Sequence, residues 1–205
     1  MSAVGIVDYG LGNLTSVAGA VARLGHEPKI TGDAEALACC ERLILPGVGA
    51  FGDGMDQLRR RGLVAALDRM VIGEGKPILG ICLGAQLLTR ESEEFGRHDG
   101  LGWIDARVVR LSPGNPALRV PHVGWNELRQ RRPSVLFRDV PDRALMYFVH
   151  SYRISGANGL VTGETDHGGP VTATVEKGRV YGAQFHPEKS QHHGLTVLRN
   201  FLADG

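Results

Sequence analysis

Residues 77–86 read Pro77-Ile78-Leu79-Gly80-Ile81-Cys82-Leu83-Gly84-Ala85-Gln86. An apolar run of strand length ends in Gly-x-Cys-x-Gly. This is the thiol form of a nucleophile elbow, in which a strand turns sharply into a helix and leaves the reactive atom at the tip. Gly80 and Gly84 permit the turn, and a bulky residue at either should obstruct it. A strand is expected over 77–82 and a helix from 83 to about 90. The free N–H groups at the start of that helix would point at the sulfur and favour the thiolate.

Toward the amino terminus the same alternation repeats. Leu43-Ile44-Leu45 predicts a strand that runs into Pro46-Gly47-Val48-Gly49-Ala50-Phe51, and helical sequence follows over 53–70, broken near Gly62. Residues 27–31 predict another strand and 33–40 a short helix. The run Ala3-Val4-Gly5-Ile6-Val7 predicts a buried first strand, followed by the turn Asp8-Tyr9-Gly10-Leu11-Gly12. Asn13 is placed to cap a helix that runs through Leu24, with Gly25 just past its end. Strands alternating with helices imply an α/β fold with a parallel sheet, and such sheets bind ligands beyond the carboxyl ends of their strands. Both the Cys82 turn and Pro46-Gly47-Val48-Gly49 fall at such ends.

After Gly96 the pattern changes to shorter strands, expected over 103–111, 144–154, 160–164, 171–176 and 179–185. Lys177-Gly178 suits a hairpin, and a last helix is expected over 194–202. The expectation is one α/β domain over 1–205, with a mostly parallel central sheet flanked by helices and an antiparallel extension.

The strand over 179–185 ends at His186-Pro187-Glu188. A cysteine, a histidine and an acid two residues on are the parts needed for acyl transfer through a thioester. Cys82 attacks, His186 moves the proton and Glu188 orients the ring. The oxyanion would be held by the backbone N–H of Leu83 and by one from Gly47, Val48 or Gly49. One such donor is worth roughly 3–4 kcal/mol in the transition state. His98, His122, His150, His167, His192 and His193 lack such a partner in the sequence and read as structural or exposed.

With 205 residues, 42% hydrophobic and 22% charged, and a net charge of +1, the composition is that of an ordinary globular protein. Nothing in it steers the chain toward nucleic acid, and the runs Arg59-Arg60-Arg61 and Arg129-Gln130-Arg131-Arg132 read as solvated faces or part of a protein interface. No stretch approaches the ~20 apolar residues of a membrane helix. The start, Met1-Ser2-Ala3-Val4-Gly5, has no basic n-region, so no signal peptide and a cytoplasmic location are expected. There are three cysteines, of which Cys39 and Cys40 are adjacent and suit neither a metal site nor an ordinary disulfide. No metal and no cofactor are expected.

Taken together, Asp8-Tyr9-Gly10-Leu11-Gly12-Asn13, Pro46-Gly47-Val48-Gly49-Ala50-Phe51, the elbow, Pro121-His122-Val123-Gly124-Trp125-Asn126, Tyr147-Phe148-Val149-His150-Ser151-Tyr152 and Gln184-Phe185-His186-Pro187-Glu188-Lys189-Ser190 resemble the class I (triad) glutamine amidotransferases. The resemblance spans nearly the whole chain. It is strongest to the branch that serves histidine biosynthesis, where Val48 stands at a position that many sister enzymes fill with glycine. It implies a flavodoxin-like sheet and hydrolysis of glutamine to glutamate and ammonia. Cys82, His186 and Glu188 would be the triad; Gly49, Leu83, Gln86 and Ser151 would hold the substrate. It also implies a partner, a (β/α)8-barrel cyclase that uses the ammonia to make imidazole glycerol phosphate and aminoimidazole carboxamide ribotide. Asn13 and Lys189 would face that barrel. A different amidotransferase, a free-standing γ-glutamyl hydrolase and a non-catalytic binding module are the competing readings.

Overall fold

A computed structural model describes residues 3–204. The chain begins with β1 (Ala3–Val7), α1 (Leu14–Arg23), β2 (Glu27–Thr31), α2 (Ala34–Ala38) and β3 (Arg42–Gly47). It continues through α3 (Phe51–Arg60), α4 (Leu63–Asp68), a π turn at Arg69–Gly73, β4 (Ile78–Cys82) and α5 (Leu83–Leu87). Then come β5 (Thr89–Ser92), β6 (His98–Asp99), β7 (Ile104–Arg110), β8 (His122–Gln130), β9 (Ala144–His150) and β10 (Tyr152–Ser155). The last elements are β11 (Val161–Asp166), β12 (Pro170–Lys177), β13 (Val180–Ala183) and α6 (Gln191–Asp204).

Nine strands form one sheet in the order β2-β1-β3-β4-β13-β12-β11-β8-β9. The five strands from β2 to β13 are parallel to one another, and the remaining four continue antiparallel. The sheet is thus mixed, with its parallel and antiparallel parts of similar size. A second sheet, β10-β7-β5-β6, packs beside it. Side chains alternate between the faces of each parallel strand. Val4, Ile6, Ile44, Leu79 and Ile81 meet Val17 and Val21 of α1 and Val197 and Phe201 of α6 on one face. Val7, Leu43, Leu45 and Ile78 meet Met55, Leu58, Leu67 and Leu83 on the other, with Ile104 and Val108 of the second sheet. Burial on both sides explains why these strands read as apolar runs. No described helix is long and apolar enough to cross a membrane.

Local expectations hold at several ends. Asn13 caps α1, its side chain accepting from Ser16 N at 3.3 Å, and Gly25 takes φ +85° beyond the helix. Gly62, at φ +69°, separates α3 from α4. Two expectations are corrected, and one strand was not anticipated. The helix after Cys82 ends at Leu87, and Thr89–Ser92 form a strand of the second sheet, because Gly102 N and Ile104 N reach back to the carbonyls of Thr89 and Leu88. The run 144–154 is two strands in different sheets, β9 and β10, parted at Ser151. β8 has no counterpart in the sequence reading. Only His122 and Leu128 of its nine residues are buried, so it carries no apolar alternation to read.

Candidate active site

The parallel sheet brings three strand ends to one place. Gly47 pairs with Cys82 and Ala183 with Ile81, so the turns after β3, β4 and β13 lie side by side. Cys82 has φ +55° and ψ −112°, a conformation that non-glycine residues rarely adopt. Such strain persists only where the surroundings over-determine it. Here the two glycines do so. A Cβ at Gly80 would lie 2.7 Å from Ala85 N, and one at Gly84 would overlap the Leu45 carbonyl oxygen. With α5 only five residues long, the field of a helix end is smaller than the sequence reading supposed.

His186 and Glu188 stand across from the elbow. His186 Nδ1 and Glu188 Oε1 are 2.8 Å apart, with both side chains almost fully buried. The turn that carries them is tied to β9: His186 N donates to Tyr147 O at 2.9 Å, Tyr147 N donates to Ser190 Oγ at 2.9 Å, and Ser190 Oγ donates to His186 O at 2.6 Å. Burial alone would lower the pKa of His186. Its interactions with Cys82 and with Glu188 outweigh burial and push it up to about 9. Nδ1 is held by Glu188, while Nε2 is buried and makes no hydrogen bond of ordinary geometry among the described residues. The thiol itself donates to Val149 O at 3.9 Å.

These groups open on a cavity of about 340 Å³, whose lining includes Val48, Gly49, Cys82, Leu83, Gln86, Ser151 and His186. Gly47 lies buried beside it, packed so closely that a Cβ would meet the Tyr9 hydroxyl. Gly49 takes φ +109°, which only glycine adopts freely. Both hydrogens of Gln86 Nε2 are engaged, with Tyr152 O and Gln184 Oε1 at 3.0 Å each, so Gln86 can offer a ligand only its oxygen. Asn13 and Lys189 are outside the cavity. Both are exposed, and the 3-10 turn Pro187–Lys189 packs against α1.

Four residues at the site were missed by sequence reasoning. Glu94, on the loop after β5, lines the cavity, is 8% exposed and accepts from Phe51 N at 2.8 Å. Burial raises its pKa, the Phe51 N–H pulls back, Asp53 adds to the rise and His98 opposes it. Tyr9 lies buried behind Gly47, its hydroxyl without a hydrogen-bond partner among the described residues and its pKa raised by burial and by Cys82. Gln184 Nε2 points at Cys82 Sγ from 3.9 Å. His150, on the cavity wall, is hydrogen-bonded to His122 at 3.0 Å, a buried contact that the sequence did not reveal. Gln184 lies two residues before His186, and that nearness was the only available signal.

The chain is similar to known proteins over nearly its full length. The family model for glutamine amidotransferase class-I matches residues 5–204. Imidazole glycerol phosphate synthase subunit HisH of Moorella thermoacetica is 47% identical over 202 residues, covering 98% of this chain and 94% of that protein. HisH of Geobacillus kaustophilus is 48% identical over 204 residues, with 97% and 95% covered. Among solved structures, PurLQS from Thermotoga maritima superposes with a TM-score of 0.77 at 22% identity, covering 98% of each chain, a likeness of fold. A strained cysteine elbow, a buried histidine–glutamate pair and these alignments converge: the chain belongs to the class-I glutamine amidotransferases, and among them to the HisH subunits of imidazole glycerol phosphate synthase.

Proposed function

We propose that this chain is the glutaminase subunit of a two-part synthase, with Cys82 as nucleophile, His186 as proton carrier and Glu188 as the acid that orients it. The observation that carries this reading is geometric: the strained Cys82 elbow and His186, whose Nδ1 is held 2.8 Å from Glu188 Oε1, open on the same cavity. A thiolate–imidazolium pair needs no further base to attack an amide. The sulfur adds to the side-chain carbon of glutamine. The oxyanion so formed is held by Leu83 N–H and by an N–H of the Gly47-Val48-Gly49 turn. His186 protonates the departing nitrogen, ammonia leaves, and His186 then takes a proton from the water that splits the thioester into glutamate and free enzyme.

The cavity supplies groups that would hold an amino acid. The Glu94 carboxylate and the Gln86 oxygen suit the substrate ammonium, and the segment at Ser151 suits its carboxylate. Gly47 and Gly49, on either side of Val48, allow the Val48-Gly49 peptide to rest with its N–H turned away and to rotate inward when the partner is loaded. The partner in this reading is a (β/α)8-barrel cyclase that receives the ammonia. An apolar stripe supports a docking face. Val123 and Trp125 of β8 and Leu145 and Val149 of β9 are exposed on the same side of the pair, with Val149 also on the cavity wall. Exposed apolar clusters of this kind mark interaction surfaces. Asn13 and Lys189 would contact the same barrel. A cytoplasmic location accords with three free thiols.

Glutamate release by the purified chain, alone and then with the cyclase barrel and its nucleotide ligand, tests the reading. Strong stimulation by the loaded barrel is expected. Turnover equally fast in both conditions would keep the cysteine chemistry but point to another amidotransferase or a free-standing hydrolase.

A further inference from the structure

Around the cavity runs a chain of hydrogen bonds whose every direction is dictated by a backbone carbonyl. Asn126 Nδ2 lies 2.7 Å from Asp166 O and Asn126 Oδ1 accepts from Glu127 N at 2.8 Å, which fixes the amide. The same Nδ2 lies 3.1 Å from His122 Nε2, so that nitrogen must accept. His122 Nδ1 therefore carries the hydrogen and donates to His150 Nε2 at 3.0 Å. His150 Nδ1 lies 2.8 Å from Tyr152 O and must donate to it, in agreement with the accepting role of its Nε2. Tyr152 O also receives Gln86 Nε2, whose second hydrogen goes to Gln184 Oε1. With its oxygen committed, Gln184 can turn only its NH2 toward Cys82 Sγ. Both histidines are neutral in this arrangement. Burial and neighbouring histidines lower His122 to about 3, and burial, against the Tyr152 carbonyl, lowers His150 to about 4.

The sulfur thus sits between two opposed partners. The Val149 carbonyl can hold only the thiol, because it accepts a hydrogen; the Gln184 amide holds the thiolate, because it donates one. We propose that Gln184, 1% exposed, is a donor that anchors the charged form of Cys82, and that Asn126, His122 and His150 are positioning residues that secure the Tyr152 carbonyl on which its orientation depends. A hydrogen bond to an ionised acceptor is among the stronger ones, and its strength here depends on the amide never flipping. This inference rests on the thioester reading above.

The test uses Gln184→Met, which keeps length and burial but has no donor. Alkylation of Cys82 by iodoacetamide at neutral pH, followed on its own peptide by mass spectrometry, should slow about tenfold. The kcat for glutamine should fall in parallel, with KM within about twofold. An unchanged alkylation rate in the folded variant would overturn the proposal. Imidazole 15N spectra of the unmodified chain provide a second measurement that does not need the variant to fold. His122 and His150 should both carry their hydrogen on Nδ1, and an Nε2–H form of His150 would overturn the chain of donors. Cys82→Ala separates the two ideas. Residual hydrolysis in that variant would end the thioester reading, whereas an inactive Cys82→Ala with an unaffected Gln184→Met would end only this inference.

Discussion

The parallel and antiparallel parts of the large sheet divide the work of the site. In the parallel part β1, β3, β4 and β13 are buried on both faces, and the strand ends present the cysteine elbow, the Gly47-Val48-Gly49 turn and, through β13, His186. In the antiparallel part the edge strand β9 buries one face and leaves the other open, as its alternating burial shows, while the inner strand β12 is buried on both faces. This part contributes the cavity wall, the neutral histidine pair, the backbone anchors of the His186 turn and an exposed apolar stripe. The proposed reacting groups, with Glu188 beside His186, therefore come from short contiguous motifs on strand ends, and the histidine pair and the exposed apolar stripe come from strands far away in sequence. Parallel strands all point their carboxyl ends the same way, so their loops converge, whereas an antiparallel meander offers a broad surface.

The sharpest way to break this division is at the elbow. Cys82→Ala should lower glutamine hydrolysis by at least about a thousandfold, since removing a nucleophile removes the covalent route. Ammonia-fed cyclase activity of the complex should persist. A complex that loses both would show that the parallel part also shapes the partner.

Glu188→Gln should cost kcat about a hundredfold less than loss of the nucleophile does. It also bears on pH. The folded-state pKa of His186 is raised, so the stabilisation from its imidazolium is fully present below the unfolded value of 6.5 and is lost as pH rises through about 9. Urea midpoints of the unmodified chain should fall across that window, and those of Glu188→Gln should fall less. Parallel curves would mean that the carboxylate does not hold the charge.

The smallest effect is expected on the antiparallel side. Trp125→Ala removes an exposed ring that packs edge-on against Tyr147 at 5.8 Å. It should leave the basal glutaminase rate of the isolated chain within about twofold and weaken cyclase binding by about 2 kcal/mol, some thirtyfold. A titration showing unchanged affinity would move the docking face elsewhere.

Several elements were legible residue by residue. β1, β3 and β4 are apolar runs because both faces are covered, and α1 announces its ends through Asn13 and Gly25. Other elements had no local signal. Thr89-Arg90-Glu91-Ser92 follows a helix without a breaker and becomes a strand only because β6 and β7 lie alongside. Ser151 parts β9 from β10 because the two strands pair with different sheets, though their sequence reads as one run.

The sequence by itself determined the class of the fold and the positions where Cys82, His186 and Glu188 stand, because hydrophobic periodicity and glycine-permitted turns are local properties. Only the tertiary structure decided that Gly47, Cys82 and the end of β13 meet, that Glu94 reaches the cavity from the loop after β5, and that Asn126, His122, His150, Gln86 and Gln184 form one directed chain. Hydrogen-bond direction and burial depend on which distant backbone carbonyl lies opposite, and sheet register sets that after the chain has packed.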